Sequence, residues 1–492
     1  MRTIKHIWSL GLLTAGLLST SACSDLLEVP PRSQADSQTA LTTAEGLDAG
    51  LNGIYDRLQS TELYGRDLLA LSEALSDNAQ ATNKSGRLNA ENRNQPNASF
   101  TSWRQSYLAI NQANLVLDNV SKVALSDTNR RNSIQGQAYF LRALLYHDLM
   151  RVYAYDPGVE ITQNSRGGVP LVLTGVADQN QISFPARAPI ADVYKQLYSD
   201  LQNSISVFGR SNASNGNLPA NGNRQAAQLL FSRIALYNKD YATAVKNATD
   251  AIAGTIKLVD NTAYIGGWRA PRNPESLFEI VYTTPENIGV NTSLQTTYTT
   301  LVRVGDRSAT GGFGDLVPTP AFIADLESEK STTGQVLDIR RQLYELGTIG
   351  RGNAFIESTK FLGKNGLINL DNVPVIRISE AYLNRAEASA MLGNTAEALA
   401  DLNLIRTRSG LPARTDLTGA TLLTEILRQR RLEYAFEGHR WFDLKRRGQD
   451  VTKTIPLSTT PNNVPYTDFR ILANIPLNEL STNKSVKQNF GY

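Results

Sequence analysis

The chain has 492 residues, with 49 basic and 46 acidic side chains, so its formal charge of +3 gives no electrostatic case for nucleic acid. Its single cysteine, Cys23, rules out an internal disulfide. The three histidines (His6, His147 and His439) carry no His-x-Glu partner and there is no Cys-x-x-Cys pair, so no transition-metal pattern is present and no cofactor is implied.

Arg2 and Lys5 precede an apolar run over residues 7–18, and the small residues Ser19, Thr20, Ser21 and Ala22 lead into Cys23. A basic start, a short apolar core and a small-residue cleavage site make a secretory signal. At about 1.5 Å of rise per residue the run is too short for a permanent membrane span. A thiol directly after the cleavage site is a lipid-attachment position. Residues 1–22 are therefore expected to be a lipoprotein signal peptide, and residues 23–42 a lipid-anchored tether carrying Pro30 and Pro31. Several acyl chains, at about 0.8 kcal/mol per buried methylene, hold such a tether stably. After the signal no apolar stretch approaches membrane-spanning length, and the remaining chain is ample for a large core.

Helical periodicity dominates next. Residues 43–58 place Leu47, Leu51, Ile54 and Leu58 on one stripe, and residues 66–75 continue the pattern. Residues 79–98, rich in Asn, Gln, Gly and Ser, read as a long surface loop. Helices are expected over 103–120, 133–153 and 190–208, the last opened by Pro189, with a short extended piece at 167–173 between the second and third. Residues 43–252 form the N-terminal helical region.

Two helical hairpins share a pattern. The first runs over 224–237 and 241–252 and the second over 379–392 and 395–406. Ala244 and Ala251 in the first, and Ala386, Gly393 and Ala398 in the second, occupy the small positions of a 34-residue tetratricopeptide-type scheme, where antiparallel helices approach closely. The alternative reading is a pair of generic hairpins. Between them, residues 253–376 are rich in Gly, Thr, Asn and Tyr, with short extended pieces such as 277–282. A loop-rich insertion on a helical scaffold is where a binding surface is expected. Residues 377–492 form the C-terminal helical region, with a last long helix over 422–436.

Several blocks resemble the SusD/RagB family of outer-membrane nutrient-binding lipoproteins. They are CSDLLEVPP from Cys23, the set Trp103, Tyr107, Ile110, Ala113 and Asn114, QAYFLRALLY from Gln137 and GVPL from Gly168. In the C-terminal region they are RISEAYLNRAEA from Arg377, LNLIR from Leu402, RLEYAFEGHRWFDLKR from Arg431 and QNFGY from Gln488. Together they span nearly all of the chain after the signal, in the family's order. The resemblance implies a mainly α fold, a tetratricopeptide-like helical scaffold with irregular loops and small β elements. It implies a binding protein without enzymatic activity, facing the exterior on the outer membrane. Its partner would be a SusC-like TonB-dependent transporter and its ligand an oligosaccharide or a peptide. A surface glycoside hydrolase and a periplasmic protein-binding scaffold are the rival classes.

Candidate ligand residues come from the loops. Trp268 lies in Tyr264-Ile265-Gly266-Gly267-Trp268-Arg269, read as a glycine-flanked loop whose exposed indole offers a flat apolar face to sugar C–H groups while Arg269 donates hydrogen bonds. Tyr298, in a Thr-rich stretch, offers a second platform. Asp77, Asn78 and Arg87 fall in the part that resembles the family's binding region, where Phe100 is the nearest ring. Trp103 reads as packing. Glu433, Glu437, His439, Arg440 and Asp443 lie close in sequence, but Glu433 and Glu437 sit four apart on one helix face, which suits ion pairs with Arg430 or Arg440 rather than a hydrolytic carboxylate pair.

Overall fold

The computed structural model describes residues 40–123, 127–210, 219–364, 366–454 and 463–492. The signal peptide, Cys23 and nearly all of the tether lie outside the described residues. Helix α1 (Ala44–Leu58) starts where the Thr43 hydroxyl accepts the Gly46 amide, and its stripe of Leu47, Leu51, Ile54 and Leu58 is buried. Helix α2 (Asp67–Leu75) follows, buried along its whole length. Next come α3 (Trp103–Val120), α4 (Thr128–Tyr153) and α5 (Ile190–Gly209).

Helix α4 is the axis of the N-terminal half. The Asp127 carboxylate caps it, and every residue from Phe140 to Tyr153 is buried, charged ones included. Burial on all sides makes an unpaired charge costly. Arg142 accordingly forks onto Asp200 of α5 at 2.6 and 2.9 Å, and the Tyr64 hydroxyl donates to Asp148 at 2.8 Å.

The expected hairpins are α6 (Arg224–Tyr237) with α7 (Tyr241–Ala253), and α9 (Ser379–Met391) with α10 (Thr395–Arg408). Each helix packs on the next in the order α1, α3, α4, α5, α6 and α7. Helix α7 then meets α9, and α9 and α10 both meet α11 (Gly419–Tyr434). The two hairpins are thus neighbours in one helical-repeat stack, although the whole insertion separates them in sequence. Ala235, Leu236, Ala244 and Ala388 form their junction, three methyls and one leucine wide. Gly393 makes the α9–α10 turn at φ +83°, a conformation open to glycine.

Three two-stranded antiparallel sheets sit on this stack. Strand β1 (Ala79–Ala81) pairs with β3 (Leu316–Pro318), β2 (Ser276–Ile280) with β6 (Val373–Arg377), and β4 (Tyr344–Leu346) with β5 (Ile356–Ser358). The β2–β6 pair, running from Ser276 opposite Arg377 to Ile280 opposite Val373, clasps the two ends of most of the insertion. The β1–β3 pair draws the Asn-rich segment after α2 onto the insertion.

One local expectation changes. Residues 79–98 are not a loose surface loop. Asn92 is buried, donating to the Ala74 and Ala79 carbonyls at 2.9 and 3.1 Å and accepting the Ala81 amide, and Asn94 donates to the Leu75 carbonyl. The polar composition there serves internal hydrogen bonds rather than water. The extended piece at 167–173 joins no sheet. Its backbone is instead held by side chains of the helices, the Tyr146 hydroxyl meeting both Val172 N and O at 2.8 Å. At the far end, Asn489 accepts from Arg187 and donates to the Tyr153 and Ala473 carbonyls, pinning the C-terminal segment. No helix among the described residues is long and apolar enough to cross a membrane.

Candidate ligand-binding site

The β1–β3 pairing delivers the turn at 82–88 to the loops at 291–314. There Arg87 donates through Nε to Ser85 Oγ (3.2 Å), through Nη1 to the Asn291 carbonyl and through Nη2 to Asp315 (2.5 Å). Its guanidinium carbon lies 4.6 Å from the centre of the Phe313 ring, and that of Arg351 lies 4.6 Å from the same centre. The Phe313 backbone is fixed from behind, its amide donating to both oxygens of Thr296. Phe313 is half-buried and Arg351 is exposed. The β4–β5 hairpin carries Arg351 on its turn. That turn is tied to the neighbouring loop by Arg307 Nε to the Gly347 carbonyl (2.9 Å) and by the Thr310 and Thr348 hydroxyls (2.8 Å).

Beneath this surface lies Glu357, fully buried. Burial pushes its carboxyl up, opposed by the Thr300 amide and hydroxyl, by Lys84 and by the Thr299 hydroxyl. Lys84 Nζ stands 3.5 Å from Glu357, its side chain 2% exposed, and makes no hydrogen bond. Gly314 and Gly347 leave room for the Glu357 carboxylate. A Cβ at Gly347 would come within 2.1 Å of it, and one at Gly314 within 2.8 Å. Val304, on the 291–314 loops, and Ile349, on the β4–β5 turn, are also exposed. The result is a surface that carries a half-buried ring, the exposed Arg351 guanidinium and the exposed Thr310 hydroxyl, groups that can pack against and hydrogen-bond to a sugar.

Of the residues singled out from sequence, the structure brings Arg87 to this surface. The others lie elsewhere, and most are buried. The segment around Trp268 is a helix, α8 (Asn261–Arg269), capped by Asp260. Gly267 serves packing, since a Cβ there would press on the Pro274 ring at 3.0 Å, whereas Gly266 faces open space. The Trp268 indole is 0% exposed, with Lys360, Arg377 and Lys364 cations 4.8, 5.1 and 5.5 Å from its rings. Tyr264 is buried beneath the Arg408 guanidinium at 4.1 Å. Arg269 is half-buried and donates to Thr359. Tyr298 is buried in the short helix Leu294–Tyr298, edge-on to Phe436 at 5.0 Å. Phe100 is buried against Phe442 at 5.3 Å. Buried rings present no face to a ligand, so the expected exposed indole and its companion tyrosine are corrected to core positions.

Asp77 and Asn78 knit the Asn-rich segment to the C-terminal region. Asp77 receives the Arg440 fork at 2.7 and 2.8 Å. Burial works against its ionisation, but Arg440 and then Arg431 outweigh it and bring its pKa to about 2. Asn78, fully buried, donates to Glu73 and accepts from Arg431. The ion-pair partners expected for Glu433 and Glu437 also change. Helix α11 ends at Tyr434, and the two carboxylates turn to Arg377, Glu433 also to Arg408 and Glu437 also to Lys360. Arg430 pairs with Asp443 instead, and Arg440 with Asp77. His439 stacks on Tyr434 at 4.4 Å, and burial, reinforced by Arg233 and Arg430, holds it well below its ordinary pKa. Trp103 is buried edge-on to Tyr153 at 5.0 Å.

Sequence reasoning missed Phe313 and Arg351. A signal was present. Phe313 stands in Gly311-Gly312-Phe313-Gly314 and Arg351 in Gly350-Arg351-Gly352, tighter glycine flanking than that of Trp268.

Comparison with known proteins bears on both halves of the chain. A model of the SusD family matches residues 349–492, and a second, described as starch-binding associating with outer membrane, matches residues 25–236. The chain belongs to the SusD family. SusD-family proteins are outer-membrane nutrient-binding proteins and not enzymes. Among relatives, SusD-like protein P2 of Formosa agariphila is 24% identical, covering 96% of this chain and 97% of its own. The starch-binding protein SusD of Bacteroides thetaiotaomicron is 23% identical over 81% of this chain and 79% of its own. A crystal structure of a putative sugar binding protein from Bacteroides vulgatus superposes with a TM-score of 0.79 at 29% identity, covering 92% of this chain and all of that one. The SusD-type scaffold is thus the helical stack, and the Phe313 cluster is a surface built onto it.

Proposed function

We propose that this SusD-family protein is a surface-exposed, lipid-anchored binding subunit that captures an oligomeric nutrient, a glycan, and hands it to a SusC-like TonB-dependent transporter. The observation that carries the ligand reading is the Phe313 cluster, an accessible ring framed by guanidinium and hydroxyl groups and fixed by two strand pairs. The position of Cys23 after a secretory signal supports the lipid anchor. Relatives named for sugar or starch binding support a glycan over a peptide.

The test is calorimetric titration of the detergent-extracted full-length protein with a panel of oligosaccharides and peptides, repeated with Phe313→Ala. The expected result is binding of at least one oligosaccharide, lost in the variant. Binding only to peptides overturns the glycan assignment. Pull-down from solubilised outer membranes should recover a TonB-dependent barrel. Its absence overturns the transporter assignment.

A further inference from the structure

At the Phe313 cluster the positive charges are not all matched. Arg87 is neutralised by Asp315. Lys84 has Glu357 as its counter-charge but no hydrogen bond, and it is walled in beside the Phe355 ring at 5.4 Å. Arg351 has no carboxylate and no hydrogen-bond acceptor among the described residues. It rests on the Phe313 ring.

Two guanidinium carbons at 4.6 Å from one ring centre are within about 9 Å of each other, close enough for their charges to repel while the ring attracts both. The guanidinium of Arg351 is drawn to the ring with its donors unspent. That is the state in which an arginine receives an oxyanion through two parallel hydrogen bonds.

We propose that the captured glycan is acidic, and that a carboxylate or sulfate substituent seats on Arg351 while the sugar ring it belongs to lies by Phe313. An arriving anion supplies the counter-charge that the cluster lacks, spends the free donors of Arg351 and relieves its repulsion with Arg87. Thr310, exposed beside the turn that carries Arg351, is placed to meet neutral hydroxyls. This inference rests on the glycan reading above and narrows it to a chemical class.

Four probes separate the outcomes: an oligogalacturonate, a sulfated galactan oligomer, a neutral malto-oligosaccharide and a poly-glutamate peptide. Each is titrated into the detergent-extracted full-length protein at low and high salt. At least one acidic sugar should bind about tenfold or more tighter than the neutral one, and its affinity should fall with added salt. The galacturonate and sulfated arms tell carboxylate from sulfate. Arg351→Gln should abolish the preference, so that acidic and neutral sugars bind alike, and Arg351→Lys should retain part of it. Because Arg351 is exposed and bonds to nothing else, an unchanged melting temperature checks that both variants fold.

Equal or tighter binding of the neutral oligomer overturns this inference while leaving the glycan reading intact, as does an acid preference that survives in Arg351→Gln. Binding of poly-glutamate alone, or of none of the four, overturns the inference together with the glycan reading.

Discussion

Arg377 and Glu437 form a two-pronged ion pair, Nε to Oε2 at 2.8 Å and Nη2 to Oε1 at 2.9 Å, sealed from solvent on both sides. Arg377 ends β6, and Glu437 lies just beyond α11. Their contact therefore locks the insertion's exit onto the C-terminal helices. The same guanidinium also reaches Glu275 and Glu433, so one cation faces three carboxylates. Replacing it with Met leaves buried acids exposed to one another. Arg377→Met should cost about 3–5 kcal/mol of unfolding free energy, read from denaturant titrations.

Trp268 and Phe313 should behave as opposites. Trp268→Ala empties a fully buried indole site and should lose about 3–5 kcal/mol of stability. Its glycan affinity, measured where the variant is still folded, should match the parent. Phe313→Ala should shift stability by less than about 1 kcal/mol and abolish binding. A melting curve and a titration on each variant decide the matter.

The Asp77–Arg440 fork should be visible in acid. The folded carboxyl titrates at about 2, below its ordinary 3.8, so its contribution is complete above about pH 4 and disappears as pH falls through 2. Asp77→Asn should be less stable than the parent by about 2 kcal/mol at pH 6, with the gap closing toward pH 2. A gap independent of pH would refute the assignment.

Glu73 should act in the reverse sense. Burial raises its carboxyl to about 7, with Asn78 and Lys360 opposing the shift. A carboxyl raised by folding costs nothing below its unfolded value. It then takes stability away as pH climbs from about 4.5 to about 7. Glu73→Gln keeps an acceptor for Asn78 and should gain on the parent over that window, by up to about 3 kcal/mol at pH 8. Unfolding at pH 4.5 and pH 8 provides the comparison.

The hairpin junction has no spare volume. Ala388 is fully buried where α9 meets α6 and α7. Ala388→Leu forces the helices apart and should cost about 1–3 kcal/mol, detectable as a lowered melting temperature.

The helical stack was legible because 3.6-residue periodicity is a local signal, and the stripes of α1, α3, α5 and the two hairpins all face inward. That α7 packs on α9 was not legible, since nothing local links residues separated by an insertion of that length. The candidate site was legible at Arg87 alone. Trp268 misled because paired glycines signal either a loop or a tight helix contact, and the choice depends on Pro274, which only the fold brings near. Phe313 escaped because its exposure follows from the β1–β3 pairing, whose two strands lie far apart in sequence. The partners of Glu433 were hidden for the same reason: Arg377 and Arg408 arrive from other elements.

The β2–β6 clasp sets where the chain leaves the helical stack and where it returns, almost at one point. Residues 281–372 therefore leave and re-enter the scaffold at one doorway, while β3 within them also pairs with β1 outside. Transplanting that stretch between relatives should exchange recognition without redrawing the scaffold, provided residues 79–88, which carry β1 and Arg87, travel with it and the recipient offers Trp268 and Glu437 to receive Lys360. A swap that separates these three would strand a charge in the hinge and fail at assembly rather than at capture.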